Sequence, residues 1–306
     1  MRKYKVYGES RLPELPEVET IRCGLAVAME GATFIAVDQR REDLRFRFPR
    51  NFSERITGSK LLILKRRAKY LCGYLSSGEV LVMHLGMSGR FTVDWGNNNK
   101  KDSTNQIFKL SRQNVAHDHI TFFMSNGANI IYNDPRRFGF MDLVPATKLI
   151  TCKHFLDIGI EPLSESFNAD YLAKCASKRR VNLKIFLLDQ RVIAGLGNIY
   201  ACEILHRAGF SPRRQTSSLV RANGIPSVRA TRLISTIQDV LTEAISAGGS
   251  TIGDYAAVDG RSGYFQNRFR VYGRKDEACT TNGCTGTIRR IVQGGRSTFF
   301  CGHCQH

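Results

Sequence analysis

Four cysteines near the carboxyl end have the residue type and spacing of a metal site. Cys279 and Cys284 form one pair, and Cys301 and Cys304 form a second pair after sixteen intervening residues. Zinc prefers four such ligands in a tetrahedron, and a closed shell of four thiolates is structural rather than catalytic. We therefore expect one structural zinc ion here, with redox-active disulfides as the alternative.

The first of these pairs is wider than the usual zinc knuckle. Cys279 and Cys284 are separated by four residues, whereas a separation of two is the commoner arrangement, so one turn of the site has to be looser. Arg289, Arg290 and Arg296 lie between the two pairs. The metal is therefore expected to hold a basic hairpin that contacts phosphate.

A second group of chemically capable residues lies near the amino end, in the stretch PELPEVET at 13–20. Pro16 suits the first turn of a helix, where its missing N–H costs nothing, and the glutamates would lie at the positive end of that helix. Apolar residues follow at Ile21, Leu25 and Ala28. These features alone predict a well-capped surface helix.

The charge balance indicates an anionic partner. The chain of 306 residues has 45 Lys and Arg against 27 Asp and Glu, a net charge of +18. Nucleic acid is the expected partner, since each neutralised phosphate releases counterions, although ribosomal and membrane-surface proteins can carry the same excess.

The sequence has no apolar run of the ~20 residues that a transmembrane helix needs, and residues 1–11 lack the apolar core of a secretory signal. We therefore expect a cytoplasmic protein without a membrane partner. The other five cysteines are scattered as reduced thiols would be, at Cys23, Cys72, Cys152, Cys175 and Cys202.

Two kinds of secondary structure must position these residues. Short β-branched or aromatic runs separated by Gly, Asn and Ser predict strands at 33–37, 60–65, 70–75, 80–85, 119–124, 129–132 and 140–144. Past Pro145 the period changes, and helices are predicted near 168–175, 183–188, 199–208 and 229–247. The fold class is therefore α+β, with an amino-terminal β-sandwich, a packed opening helix, a helical domain and a final cysteine hairpin.

Separated motifs, in chain order, resemble those of bacterial formamidopyrimidine-DNA glycosylases. They are PELPEVET at 13–20, RRAKYL at 66–71, HLGMSG at 84–89, DPRRFG at 134–139, GLGNIY at 195–200 and the cysteine tail at 271–304. The opening motif distinguishes this branch from endonuclease VIII, which favours oxidised pyrimidines. The resemblance implies five regions: an extension at 1–12, a catalytic β-sandwich at 13–145, a linker at 146–166, a helix–two-turn–helix domain at 167–265 and a zinc finger at 266–306.

The implied activity is that of a bifunctional DNA glycosylase and AP lyase that removes oxidised purines, such as 8-oxoguanine and formamidopyrimidines, during base excision repair. Pro13 would be the nucleophile and Glu14 the acid/base group beside it. Lys69 would contact the phosphate next to the lesion and assist proton transfer, and Arg296 would assist the second elimination. Plain phosphate binding is the alternative for Lys69 and Arg296.

The resemblance also implies the residues that hold double-stranded DNA with an oxidised purine or an abasic site. Met87, Arg136 and Phe138 would fill the gap left by the extruded nucleotide and wedge the stack. Phosphate contacts are expected from His117, Arg179, Lys184 and Asn198. In the loop that resembles the damaged-base clamp (250–264), Gly253 departs from the usual Lys or Arg. The protein is expected to act as a monomer associated with the bacterial nucleoid.

The position of Pro13 conflicts with its implied role. An internal proline nitrogen is a tertiary amide whose lone pair is delocalised into the carbonyl, so it is no nucleophile. Our hypothesis is that translation starts at the codon of Leu12, read as methionine, and that removal of this residue frees Pro13. If the extension is retained, a non-catalytic protein that binds damaged DNA is favoured instead. A zinc-bearing RNA- or ribosome-binding protein is a third interpretation.

Overall fold

The computed structural model describes residues 12–96, 115–250, 258 and 263–306, which belong to two compact units. The first unit runs to Leu156 and includes the segment 247–266, and the second comprises 157–246 and 267–306. The division lies within the expected linker. The segment 247–266 groups with the first unit, not with the helical domain as in the sequence-based boundaries, because Ser250 and Val258 are hydrogen-bonded to Glu17 and Val93.

The first unit opens with helix α1 (Leu15–Met29). Its start is fixed by Glu17, whose carboxylate accepts the backbone N–H of Glu14 at 3.0 Å, as in a capping box. Val18, Ile21 and Leu25 are buried and recur at helical spacing, so this face of α1 packs into the core of the unit.

The strands form two antiparallel four-stranded sheets, in the orders β1-β6-β7-β5 and β2-β3-β4-β8. Their apolar side chains and those of α1 form one core. The elements are β1 (Phe34–Gln39), a short helix α2 (Phe52–Ile56), β2 (Leu61–Arg67), β3 (Tyr70–Leu75), β4 (Glu79–His84), β5 (Arg90–Asp94), β6 (Asp118–Met124), β7 (Asn129–Asn133) and β8 (Phe140–Pro145). The predicted strands are confirmed within two residues at each end, and β5 is an eighth strand that the sequence pattern did not predict.

The second unit is helical. It contains α3 (Ala169–Ser177), α4 (Leu183–Leu188), α5 (Asn198–Ala208) and the 19-residue α6 (Val228–Ser246). Helix α5 is buried along most of its length and packs on α6. It ends at Gly209, which has φ +72, the left-handed conformation typical of a helix C-terminus.

The final hairpin consists of β9 (Ile288–Gln293) and β10 (Arg296–Cys301), paired antiparallel. A buried carboxylate on α5 fixes the segment that precedes it: Glu203 accepts the backbone N–H groups of Arg270, Val271 and Tyr272 at 2.9, 3.0 and 2.8 Å. Burial raises the pKa of Glu203, although these three bonds oppose that rise. Glu203 therefore anchors the entry to the hairpin on α5.

None of the helices in the described parts of the chain is both long enough and apolar enough to cross a membrane.

Candidate active site and nucleic-acid interface

The expected nucleophile and acid/base group lie at the amino end of α1. Pro13 is half-buried and directly precedes the buried Glu14. Behind them, the carboxylate of Glu17 accepts from both the backbone N–H and the hydroxyl of Ser250, each at 2.8 Å. The start of the helix is thereby bonded to the first residue of the loop that resembles a damaged-base clamp. Gly253 and most of that loop lie outside the described residues.

Lys69 lies in the tight turn between β2 and β3. The preceding residue, Ala68, has φ +52, a left-handed conformation that turns the chain within two residues. Arg66 holds this turn to α1 through an ion pair with Glu19 at 2.9 Å. Although burial opposes it, hydrogen bonds and charge interactions with Arg22 and Arg66 lower the pKa of Glu19, so this carboxylate stays ionised. Lys69 therefore lies on a tight turn that an ion pair joins to helix α1, the helix that directly follows Glu14.

The loops that carry Met87 and Phe138 pack against each other. Gly86 has φ +61, and a Cβ atom at this position would lie 2.3 Å from the backbone of Phe138 and Gly139. Only glycine permits so close an approach. The imidazole of His84 accepts the backbone N–H of Gly86 at 3.1 Å, and burial, with the nearby charges of Lys69 and Arg45, lowers the pKa of His84 to about 4. A neutral imidazole therefore fixes the turn that presents Met87.

Asp134 is the common support of both loops. This fully buried carboxylate accepts the hydroxyl of Ser88 from the Met87 loop and the backbone N–H of Gly139 from the Phe138 loop, at 2.5 and 2.8 Å. Tyr132 donates a third bond at 3.2 Å. Burial, together with the adjacent Asp134 charge, raises the pKa of Tyr132 well above its ordinary value, so the hydroxyl remains a donor. We refer to Asp134, Ser88 and Tyr132 as the loop frame.

The tips of the two loops face solvent. Arg136 and Phe138 are exposed, the guanidinium of Arg136 lies 4.7 Å from the ring centroid of Phe138, and Met87 is half-buried. The structure thus carries an unbranched apolar residue, a cation and an aromatic ring on two adjacent loops that share the loop frame. His117 lies beside the same turn, since its carbonyl accepts the backbone N–H of Asp134 at 3.1 Å.

Lys184 and Asn198 meet inside the second unit. Lys184 is fully buried, and its Nζ lies 2.7 Å from Oδ1 of Asn198, 2.9 Å from Sγ of Cys202 and 3.5 Å from Oγ1 of Thr298. Asn198 is half-buried and donates its Nδ2 to the carbonyl of Ser297 at 2.9 Å. Lys184 therefore has no exposed surface for a phosphate, and it instead fixes the amide of the first residue of α5 against β10.

Arg296 lies where the final hairpin reverses. Gly294 and Gly295 have φ +55 and +73, as a two-residue hairpin turn requires, and Arg296 follows them as the exposed first residue of β10. Arg179 is half-buried and pairs with Asp189 at 3.1 Å, within a charge group that also includes Arg191. The hydrogen bond from Arg191 contributes most to lowering the pKa of Asp189. Arg296 and Arg179 thus belong to the second unit with Lys184 and Asn198.

The four cysteines of the tail form one cluster. Sγ of Cys279 lies 3.7 Å from that of Cys304, and Sγ of Cys284 lies 3.6 Å from that of Cys301. A zinc tetrahedron with bonds of ~2.3 Å has edges of about 3.8 Å, whereas a disulfide needs about 2.05 Å. The four ligand atoms lie within 4.8 Å of one another, which fits one zinc ion and not two disulfides.

The ionisation of these thiols also favours a cation. Burial alone would raise the pKa of the Cys279 thiol, but hydrogen bonds from Thr281 and the neighbouring cysteines lower this pKa to about 7. The pKa of Cys304 rises to about 12, because of its burial and the neighbouring sulfurs. The cluster therefore accepts a first negative charge readily and resists later ones, and a bound Zn²⁺ compensates this repulsion.

Three contacts in and around the candidate sites were not predicted from sequence. They are the loop frame around Asp134, the bond between Glu17 and Ser250, and the contact of His206 with Cys279, where Nε2 lies 3.4 Å from Sγ. The bonds of Ser88 to Asp134, of Ser250 to Glu17 and of His206 to Cys279 each join residues at least 46 positions apart in the chain, so no local sequence pattern indicates them.

Comparison with family models gives three matches in chain order. Residues 12–141 match the formamidopyrimidine-DNA glycosylase N-terminal domain, and residues 158–256 match the H2TH domain of the same family. Residues 284–306 match a zinc finger found in FPG and IleRS. The expected structural zinc is confirmed by this finger together with the cysteine cluster.

Relatives match over almost their whole length. The chain is 53% identical over 294 residues to a formamidopyrimidine-DNA glycosylase of Methylobacterium nodulans, covering 96% of this chain and 99% of the relative. A MutM (Fpg) protein from Thermus thermophilus is 36% identical with a TM-score of 0.78, covering 96% and 98% of the two chains. A Lactococcus lactis Fpg in complex with DNA containing an abasic site is 30% identical with a TM-score of 0.78, covering 96% and 99%.

Proposed function

This chain belongs to the formamidopyrimidine-DNA glycosylase family, a family of DNA repair enzymes, and on that premise we propose that it is a bifunctional glycosylase and AP lyase that excises oxidised purines. The observation that carries the proposal is the placement of Pro13 directly before the buried Glu14, at the amino end of α1. A secondary amine next to a carboxyl group is the pair that this chemistry requires.

The proposed reaction begins with attack of the Pro13 nitrogen on C1′ of the damaged nucleotide. The bond between C1′ and the base breaks, and the base leaves with a proton while the sugar ring opens to an iminium. Glu14 is the group that transfers protons at the sugar. The iminium acidifies the hydrogen on C2′, so its loss expels the 3′ phosphate, and a second elimination expels the 5′ phosphate.

This chemistry requires Pro13 to be the first residue of the active chain. A proline with a free amino group has a pKa near the α-amino range, so an appreciable fraction is unprotonated at neutral pH. The match to the family model begins at residue 12, which supports a functional chain starting at Pro13. If residues 1–12 are retained, the second candidate applies: a protein that binds damaged DNA without cutting it.

The remaining residues are proposed to hold the substrate. Lys69 and Arg296, a cation on a β-turn and one on a hairpin tip, contact backbone phosphates and assist the eliminations. Met87, Arg136 and Phe138 enter the duplex where the nucleotide is extruded, supported by the loop frame. His117 and Arg179 contact phosphates. The zinc ion, held by Cys279, Cys284, Cys301 and Cys304, is structural and fixes the hairpin that bears Arg296.

The proposal is tested with a duplex that contains one 8-oxoguanine and with protein that begins at Pro13. We expect release of the base and a nick that leaves phosphate on both ends, as consecutive eliminations produce, and no nick in the same duplex without the lesion. Base release without a nick would remove the lyase activity from the proposal. Binding without either reaction would favour the DNA-binding candidate, and a preference for RNA would contradict both.

Lys184 is proposed to act on DNA through Asn198, since its own amino group is buried. Lys184→Met fills the same space without a donor, so Asn198 loses the bond that orients its amide. We expect affinity for abasic-site DNA to fall about tenfold, the value of a lost hydrogen bond to a charged donor. The measurement is fluorescence anisotropy at fixed salt.

A double-mutant cycle separates this role from direct phosphate contact. If Lys184 acts through Asn198, Asn198→Ala and the double variant should bind DNA equally weakly, because the second change removes nothing further. Thr298→Val is the matched control, since it removes another neighbour of the Lys184 amino group and leaves the Asn198 contact intact. Additive losses, or a reduced salt dependence of binding in Lys184→Met, would assign Lys184 a phosphate of its own.

A further inference from the structure

The wide cysteine knuckle contacts helix α5 through Thr281, one of the four residues between Cys279 and Cys284. The carbonyl of Thr281 accepts the backbone N–H of Cys284 at 3.0 Å, which closes the turn. Its own backbone N–H lies 3.5 Å from Sγ of Cys279, and its Oγ1 lies 3.3 Å from Nε2 of His206. The looser turn that the cysteine spacing requires is therefore in contact with a histidine of α5.

His206 faces the metal site with one particular nitrogen. The residue is buried, and Nε2 lies 3.4 Å from Sγ of Cys279. Its other nitrogen, Nδ1, is buried without a hydrogen-bond partner among the described residues. A neutral imidazole has a single N–H. On Nε2 that proton has sulfur and hydroxyl acceptors, whereas on Nδ1 it would be a buried donor without an acceptor, which costs about 1–3 kcal/mol.

We propose that His206 is a positioning residue of the zinc site, which donates its Nε2–H to the thiolate of Cys279 and fastens the metal cluster to helix α5. Four thiolates around Zn²⁺ leave a net charge of −2, so a donor beside one sulfur stabilises the ligand shell. Groups that hydrogen-bond to metal ligands commonly change metal affinity by about 10–100-fold when removed. The cysteine spacing alone predicts a metal site that is independent of the helices. The contact with His206 instead joins this site to helix α5.

The chain contains a matched comparison. Nδ1 of His303 lies 3.3 Å from Sγ of Cys284, a similar distance, but His303 is exposed. Water can replace an exposed donor at little cost, whereas no water replaces a buried one that is changed to an apolar side chain. The two histidines should therefore differ in effect although both contact a zinc ligand.

The test measures the rate at which the zinc-loaded full chain releases zinc to an excess of a chromophoric chelator, without DNA. We expect His206→Phe to release zinc about 10–100-fold faster than the unchanged protein. His206→Gln, which retains an N–H near the position of Nε2, should remain within a few-fold, and His303→Phe should change little. Because no substrate is present, the result is independent of the glycosylase and lyase proposal.

Two outcomes would overturn the proposal. Release from His206→Phe at the unchanged rate would mean that the contact does not hold the metal, and equally fast release from the Phe and Gln variants would assign the effect to packing. A measurement on the unchanged protein does not depend on whether a variant folds: ¹⁵N chemical shifts of the His206 ring report its tautomer. Protonation at Nε2 is expected, and a ring protonated at Nδ1 would refute the hydrogen bond.

Discussion

A chain that begins at Pro13 is expected to form a borohydride-stable adduct with abasic-site DNA, and a chain that retains residues 1–12 is expected to form none. In the longer chain the Pro13 nitrogen is an amide, so the covalent step is lost while the DNA-binding surfaces of both units remain. Removal of a nucleophile commonly costs a factor on the order of 10³ or more in rate. The measurement is adduct yield on a denaturing gel, with the intact mass of each protein verified first.

The comparison needs a control for folding and binding. Both forms should bind an abasic-site duplex with similar affinity at the same salt concentration, since none of the proposed phosphate contacts lies in residues 1–12. A full-length chain of verified mass that still forms the adduct would refute Pro13 as nucleophile. An adduct in neither form, with binding intact, would favour the non-catalytic candidate.

The second large effect is expected from Cys301→Ser. Cys301 is fully buried and supplies one corner of the sulfur cluster, so its loss opens the shell and releases the metal. Structural zinc supplies about 10–16 kcal/mol of folding free energy in small metal-dependent domains. The β9–β10 hairpin that bears Arg296 should therefore lose its fixed geometry, and DNA affinity should fall on the order of 100-fold, as for several lost phosphate contacts.

Zinc content by atomic absorption and binding by anisotropy test this expectation together. Cys152→Ser is the matched control, because Cys152 is a half-buried thiol outside the cluster and should leave both quantities unchanged. Unchanged zinc content and affinity in Cys301→Ser would contradict the structural role of the metal. Loss of zinc with full affinity would instead separate the metal from the DNA-binding surface.

Periodicity predicted most of the fold because each strand is short, apolar and bounded by turn residues. Strand β5 (Arg90–Asp94) was not predicted, because it is only five residues long and directly follows a glycine-rich motif. It is a strand because it pairs with Asn129–Asn133. The grouping of the segment 247–266 with the first unit was not predicted for a similar reason. Its bonds to Glu17 and Val93 join residues more than 150 positions apart, which no local pattern encodes.

The parts of the candidate site that depend only on residue type and spacing could be predicted from sequence. The parts that depend on whether a side chain is buried could not. The cysteine spacing indicated the zinc site, and a coherent cluster is present. From sequence, Lys184 was predicted to contact phosphate as a further cation. In the structure it is fully buried and bonded to Asn198. Sequence does not distinguish a lysine that reaches solvent from one whose amino group is enclosed by neutral partners.

The loop frame implies that recognition could be altered without rebuilding the protein. Ser88, Tyr132 and Gly139 all bond to one buried carboxylate, whereas Arg136 and Phe138 are exposed. Libraries that randomise only Met87, Arg136 and Phe138 would therefore sample different side chains at the positions proposed to enter the duplex, on a constant support. A substitution of Asp134, in contrast, would remove the bonds to Ser88 and Gly139 together, so both loops would lose their support at once.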